Sequence, residues 1–135
     1  MSIEEVEILR RRALTFLNHA REAVERGEFD FACFSSEQAA QLFVKSVMLE
    51  LVGETPRSHR VRELLHLLSR LVPEAEEPVT EFVRRNREAL RALDDAYIAS
   101  RYLPSAYTRE EAEAFVKLAE SLIELMSEVL KRCKR

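Results

Sequence analysis

The sequence predicts an all-α protein: an antiparallel up-and-down bundle of four long helices and one shorter helix, in a single domain spanning 1–135. Three observations carry that expectation. Only two Gly and four Pro occur in 135 residues, where average usage puts roughly nine and seven. That scarcity disfavours turn-rich sandwiches and barrels, and it leaves too little Gly for a P-loop or a GxGxxG turn. The charged residues are 17 Arg against 4 Lys and 21 Glu against 3 Asp, and Glu and Arg are good helix formers whereas Asp competes with the helix backbone. Apolar residues recur at the 3-4 spacing of amphipathic helices through most of the chain.

The first helix opens at Ser2, with Glu5 three residues on, a capping-box spacing. It runs for roughly 24 residues on a stripe of Val6, Leu9, Ala13, Phe16, Leu17, Ala20 and Val24, and Gly27 supplies the positive-φ residue that ends it. The second, from Asp30 to Val52, is apolar around most of its circumference and is expected to be the most buried. Glu37, Gln38 and Lys45 interrupt it and are expected on an exposed strip, since buried they need partners. Gly53 closes it.

A third helix, Ser58 to Leu71, carries the narrow stripe Val61, Leu64, Leu65, Leu68 and Leu71. PEAEEP reads as an acidic connector, and Pro78 suits the first turn of a fourth helix extending to Ala99. Asn86 falls on that helix's apolar side, as a core hydrogen-bonder or as part of a site. SRYLPSAYT is the interior stretch where helix signals fail. Thr108 with Glu111 forms a second capping box for the last helix, whose KRCKR tail complements a helix C-terminus.

Net charge is -3, which disfavours a general nucleic-acid coat but not a local basic site. Cys33 and Cys133 have no partner spacing and read as reduced thiols. No apolar stretch is long enough to span a bilayer and the N-terminus is charged, so a soluble cytoplasmic protein is expected. The Glu/Arg excess with few Asn and Gln also suits a thermophilic source.

Familiar chemistry is sparse. There is no HExxH, and the single ExxH, Glu63 to His66, lacks the second such pair that a di-metal bundle site uses, so neither metal nor cofactor is expected. His19 and His66 read as surface residues. His59, beside Arg57, Ser58 and Arg60 at the start of the third helix, either caps that helix or faces an anion. Ser35 and Ser36 lack an activating neighbour. The segment from Leu93 to Tyr107 holds two of the three Asp, Asp94 and Asp95, and all three Tyr, Tyr97, Tyr102 and Tyr107, around Arg101. Tyr rings offer flat stacking surfaces and Arg is the natural fork for phosphate. The plainer alternative is a Tyr-anchored loop with Arg101 paired to Asp94 or Asp95.

Four pieces in order resemble the HEPN domain family, small helical bundles named for nucleotide binding in higher eukaryotes and prokaryotes. The first helix with Gly27-Glu28-Phe29-Asp30-Phe31-Ala32 is similar to its "A…G.yd.A" entry. Ser36-Glu37-Gln38-Ala39-Ala40 through Lys45-Ser46-Val47-Met48-Leu49 resembles its "eqAaelalKalL" central helix. Ser58-His59 with Glu63-Leu64-Leu65 resembles "tHsl.eLl", and Leu93-Asp94, Tyr97-Ile98 and Ser100-Arg101-Tyr102 resemble "Ld..Yi.sRYp".

The resemblance implies a bundle that often dimerises, with Arg-bearing segments facing a shared cleft. Many relatives are metal-independent ribonucleases using an Arg and a His about five residues on, and others pair with a small nucleotidyltransferase as the toxin of a toxin–antitoxin couple. Arg101 holds the position of that Arg. Ala106 stands where the His would fall, so no neutral-pH general acid or base sits there. Tyr107, which follows, is either a hydrogen-bond donor or a residue modified by a partner nucleotidyltransferase. Three functions follow as expectations. The first is a non-catalytic homodimeric module binding a nucleotide or RNA phosphate through Arg101, with Tyr97, Tyr102, Tyr107, Asp94 and His59 as further ligand-binding residues and a nucleotidyltransferase as partner. The second is a ribonuclease toxin in which Arg101 is catalytic and a His from elsewhere, such as His59, moves protons. The third is a purely structural assembly partner.

Overall fold

The computed structural model describes residues 3–102 and 106–134, the side chains of 100–102 excepted. The helices are α1 (Ile3–Glu25), α2 (Phe29–Leu51), α3 (Val61–Leu71), α4 (Pro73–Arg85), α5 (Arg87–Tyr102) and α6 (Arg109–Cys133). The all-α class holds, but among the described residues three long helices and three shorter ones replace the expected four and one. Ser2, the expected first cap, lies outside the described residues.

α2 is the central post, packed against α1, α3, α5 and α6, with α3 lying on α4. Small residues let the long helices approach closely: Ala13 and Ala20 of α1 and Ala32, Ala39 and Ala40 of α2 are completely buried. Val44, Val47 and Met48 of α2 then meet Leu64, Leu65 and Leu68 of α3, Leu90 and Leu93 of α5, and Leu122 and Met126 of α6 in one core. Leu71, the last member of the expected α3 stripe, is instead exposed.

Gly27, at φ +76°, ends α1. There Glu28 N–H donates to Ala23 O at 2.8 Å and Gly27 N–H to Val24 O at 3.1 Å, which satisfies two carbonyls that a helix end otherwise leaves open. Gly53, at φ +96°, does the same for α2 by donating toward Leu49 O and Met48 O. No neighbour crowds either glycine, so it is the left-handed backbone that requires Gly.

The expected fourth helix is corrected at both ends and in the middle. PEAEEP is helical: Pro73 occupies the first turn, where its missing N–H costs nothing, and Glu74 and Glu76 sit at the positive end of the helix dipole. Pro78 is not in a first turn as expected but inside α4, past its first turn, while Ala75 and Val79 bury the inner face. Asn86 then interrupts the run. Its side-chain amide and its backbone N–H both donate to Phe82 O, at 2.9 and 3.0 Å, so the side chain competes with the helix ladder. It is neither a core hydrogen-bonder nor near the cleft described below. At the far end α5 continues through Tyr102, taking in the first residues of SRYLPSAYT.

The Thr108 capping box forms as expected, with Glu111 N–H donating to Thr108 Oγ1 at 3.1 Å and Thr108 N–H to Glu111 Oε1 at 2.9 Å. No helix among the described residues is long and apolar enough to cross a membrane. Replacing Thr108 by Ala is expected to lower unfolding stability by about 1 kcal/mol, read from the urea midpoint at unchanged slope.

Candidate functional site

α3 begins without a cap of its own. Arg60, at the N-cap position, makes no capping side-chain bond. The caps come from Asp94, across on α5: its Oδ1 accepts Val61 N–H at 2.6 Å, and its Oδ2 accepts Arg62 N–H at 3.4 Å and Arg62 Nε at 3.0 Å. The Asp94 side chain is only 4% exposed, yet the helix dipole, two amides and one guanidinium all face its charge. Asp94 therefore pairs with α3, and the helix N-terminus that the sequence leaves open to an anion already holds a carboxylate; the expected Arg101–Asp94 or Arg101–Asp95 pairing falls on a side chain outside the described residues.

Locking α3 to α5 places His59 beside Tyr97. The two rings stack at 5.3 Å between centroids and 8° between planes. His59 does not cap α3. Its Nδ1 lies 3.3 Å from Gln41 Oε1, and the same Gln41 donates through Nε2 to His59 O at 3.3 Å.

Behind this pair runs a ridge of α2 spaced at four residues: Glu37, Gln41 and Lys45. Glu37 is completely buried, and its oxygens accept Gln38 Nε2 and Gln41 Nε2, each at 2.7 Å. Lys45 Nζ donates to Gln41 Oε1 at 3.2 Å. Burial holds the Lys45 ammonium below its ordinary pKa, against the pull of the Glu37 carboxylate. Glu37, Gln38 and Lys45 are therefore interior or half-buried and paired, not a solvated strip. The reason is topological, since their network extends to a histidine eighteen residues from Gln41. Sequence reading passes over Gln41 altogether. Its i, i+4 spacing from both Glu37 and Lys45 is the available signal.

In front of the stack opens a cleft of about 720 Å³, lined by Arg57, Ser58, His59, Arg60, Tyr97 and Ile98 among others. Among the described residues the guanidinium groups of Arg57 and Arg60 make no ion pair. Three of the expected site residues, His59, Asp94 and Tyr97, thus come together. The side chains of Arg101 and Tyr102 lie outside the described residues, and helical register puts position 101 one turn beyond Tyr97 and two beyond Asp94.

Tyr107 sits elsewhere. Its backbone N–H donates to Asp30 Oδ1 at 3.0 Å and its ring packs on Phe115. It lines a separate depression with Gly27, Phe29, Asp30, Phe31 and Ala106, and Asp30 lies about 16 Å along α2 from Gln41 at helical rise. Beneath the start of α2, Cys33 is fully buried. Burial, reinforced by Glu111 and Asp30, pushes its thiol up to about 12, so it is no nucleophile near neutral pH. The described residues hold no group of three His, Cys, Asp or Glu that could bind a metal ion.

A family model, the HEPN domain, matches residues 6–130. Solved structures similar to this chain include TT1696 from Thermus thermophilus, 30% identical, covering 92% of this chain and 97% of that one with a TM-score of 0.74. An HEPN domain protein (TM0613) from Thermotoga maritima is 32% identical over 92% of this chain and 98% of its own, with a TM-score of 0.69. ST0689, an archaeal HEPN homologue, is 25% identical over 91% and 95%, with a TM-score of 0.67. No curated protein matches the chain.

Asp94 is the joint on which the cleft depends. Asp94→Ala is expected to cost about 2–4 kcal/mol, combining a lost helix cap with the loss of the buried acceptor that faces Arg62. Guanidinium unfolding measures this, and Asp95→Ala, next to it but exposed, is expected to stay within about 0.5 kcal/mol of the parent.

Proposed function

The chain belongs to the HEPN domain family, and from that premise we propose that it is a non-catalytic module binding the phosphate of a nucleotide or RNA in the cleft before His59 and Tyr97. The observation that supports this is a flat ring stack beside Arg57 and Arg60, which make no ion pair among the described residues. Guanidinium groups suit phosphate oxygens and a ring face suits a base. Arg101, one turn along α5 from Tyr97, adds the third cation of the reading, with Tyr102 beside it in sequence. Tyr107, in its own depression, is left as a contact for a partner.

The partners in this reading are a second copy of the chain and a small nucleotidyltransferase. Phe31 and Ile98, 48% and 56% exposed, supply apolar surface for such contacts.

A second reading, a metal-independent ribonuclease, draws support from one placement. His59 stands against Tyr97, a single helical turn before position 101, so an imidazole lies on the same stretch of α5 despite Ala106. In that reading Arg101 stabilises the phosphorane charge and His59 moves protons.

Two assays test these readings. Arg101→Ala and the double variant Arg57→Ala/Arg60→Ala are each expected to weaken ATP or RNA binding about ten-fold or more, and to flatten its salt dependence, with thermal unfolding nearly unchanged. Undiminished binding in folded variants contradicts the reading. RNA incubated with the protein and EDTA is expected to remain intact; cleavage abolished by both Arg101→Ala and His59→Ala establishes the ribonuclease instead.

A further inference from the structure

We propose that Glu37 and Gln41 are positioning residues that hold neutral His59 in its Nδ1–H tautomer, leaving Nε2 as a hydrogen-bond acceptor facing the cleft. The network runs outward from the core. Glu37 is buried, and each of its oxygens accepts a hydrogen bond. The donors at 2.7 Å are the amide nitrogens of Gln38 and Gln41. Gln41 is therefore oriented with Nε2 toward Glu37 and His59 O, and with Oε1 toward Lys45 Nζ and His59 Nδ1.

The reverse orientation fails twice. It sets the Gln41 carbonyl against the Glu37 carboxylate, acceptor to acceptor, and its NH2 against the Lys45 ammonium, donor to donor. With Oε1 facing His59, only a protonated Nδ1 completes the contact. The proton of the neutral ring is thus on Nδ1, and Nε2 carries the lone pair. Among the described residues Nε2 has no partner, and His59 is exposed at the cleft wall.

This arrangement has a consequence for ligand choice, which rests on the phosphate-binding reading above. An acceptor beside Arg57 and Arg60 favours a phosphate ester that carries a free hydroxyl on the adjacent carbon, the hydroxyl donating to Nε2 while the guanidinium groups take the phosphate. An ester lacking that hydroxyl leaves Nε2 unmatched.

The test has two arms. Long-range 1H–15N spectra of the intact protein at a pH of about 8, above the ordinary histidine range, are expected to show a protonated Nδ1 and an unprotonated Nε2 for His59, assigned with His59→Gln. In Gln41→Met the population is expected to move toward Nε2–H. A wild-type His59 already in the Nε2–H form overturns the proposal, whether or not the variant folds.

The second arm compares adenosine 3′-monophosphate with its 2′-deoxy counterpart. The wild type is expected to bind the ribonucleotide about two- to ten-fold more tightly, the range of one neutral hydrogen bond, and Gln41→Met to bring the ratio near one. Equal binding of both nucleotides overturns the ligand choice alone. Binding of neither overturns the phosphate-binding reading and the ligand choice with it, and leaves the tautomer to the spectra.

Discussion

A single buried carboxylate organises this molecule's candidate site. Asp94 serves α3 as the cap it does not carry itself, and that service sets where α3 starts, how α3 lies on α5, and therefore where His59 meets Tyr97. Removing a charge from water is costly unless donors replace the lost hydration, and here two amides, a helix dipole and Arg62 replace it. The preceding loop can then be irregular without blurring the geometry, because its last residues are held from two sides: Asp94 on α5 and Gln41 on α2.

A second buried carboxylate, Glu37, works in the opposite direction. Asp94 fixes backbone, whereas Glu37 fixes the orientation of one amide and through it the protonation pattern of one ring. Neither acid faces the cleft as a free charge. Among the described residues the cations at the mouth, Arg57 and Arg60, make no ion pair, while Asp94 and Glu37 behind them are satisfied by the scaffold. Two exposed carboxylates, Glu63 and Asp95, share the cleft lining, so what favours an anion is where Arg57 and Arg60 stand beside the ring stack and not a local excess of positive charge.

Much of the fold is legible in residues whose effect is local. Gly27, Gly53 and the Thr108–Glu111 box act within a turn or two, and the 3-4 stripes of α1 and, Leu71 excepted, α3 mark the faces turned to the core. Sequence and structure part where distance in the chain decides the outcome. Glu37 and Lys45 read as surface because their surroundings, Gln41 excepted, are set by packing between helices. Asp94 reads as a residue of its own segment, a ligand contact or a partner for Arg101, and nothing nearby in the chain shows that it serves an amide thirty-three residues back. PEAEEP reads as a connector if proline is only a stop; at the start of a helix, with glutamates at its positive end, it is a beginning. The cleft itself is half visible: His59, Tyr97 and Asp94 stand out as site residues, but nothing in their spacing says that they share one wall.

The central claim, that the anion-binding surface lies where α3 is pinned to α5 and not at the depression around Tyr107, is tested most directly by backbone 1H–15N shift mapping during titration with a nucleoside monophosphate. Saturable shifts confined to residues 57–62 and 94–99 are the predicted result. Shifts centred on residues 27–31 and 106–107, with the α3–α5 junction silent, would contradict it.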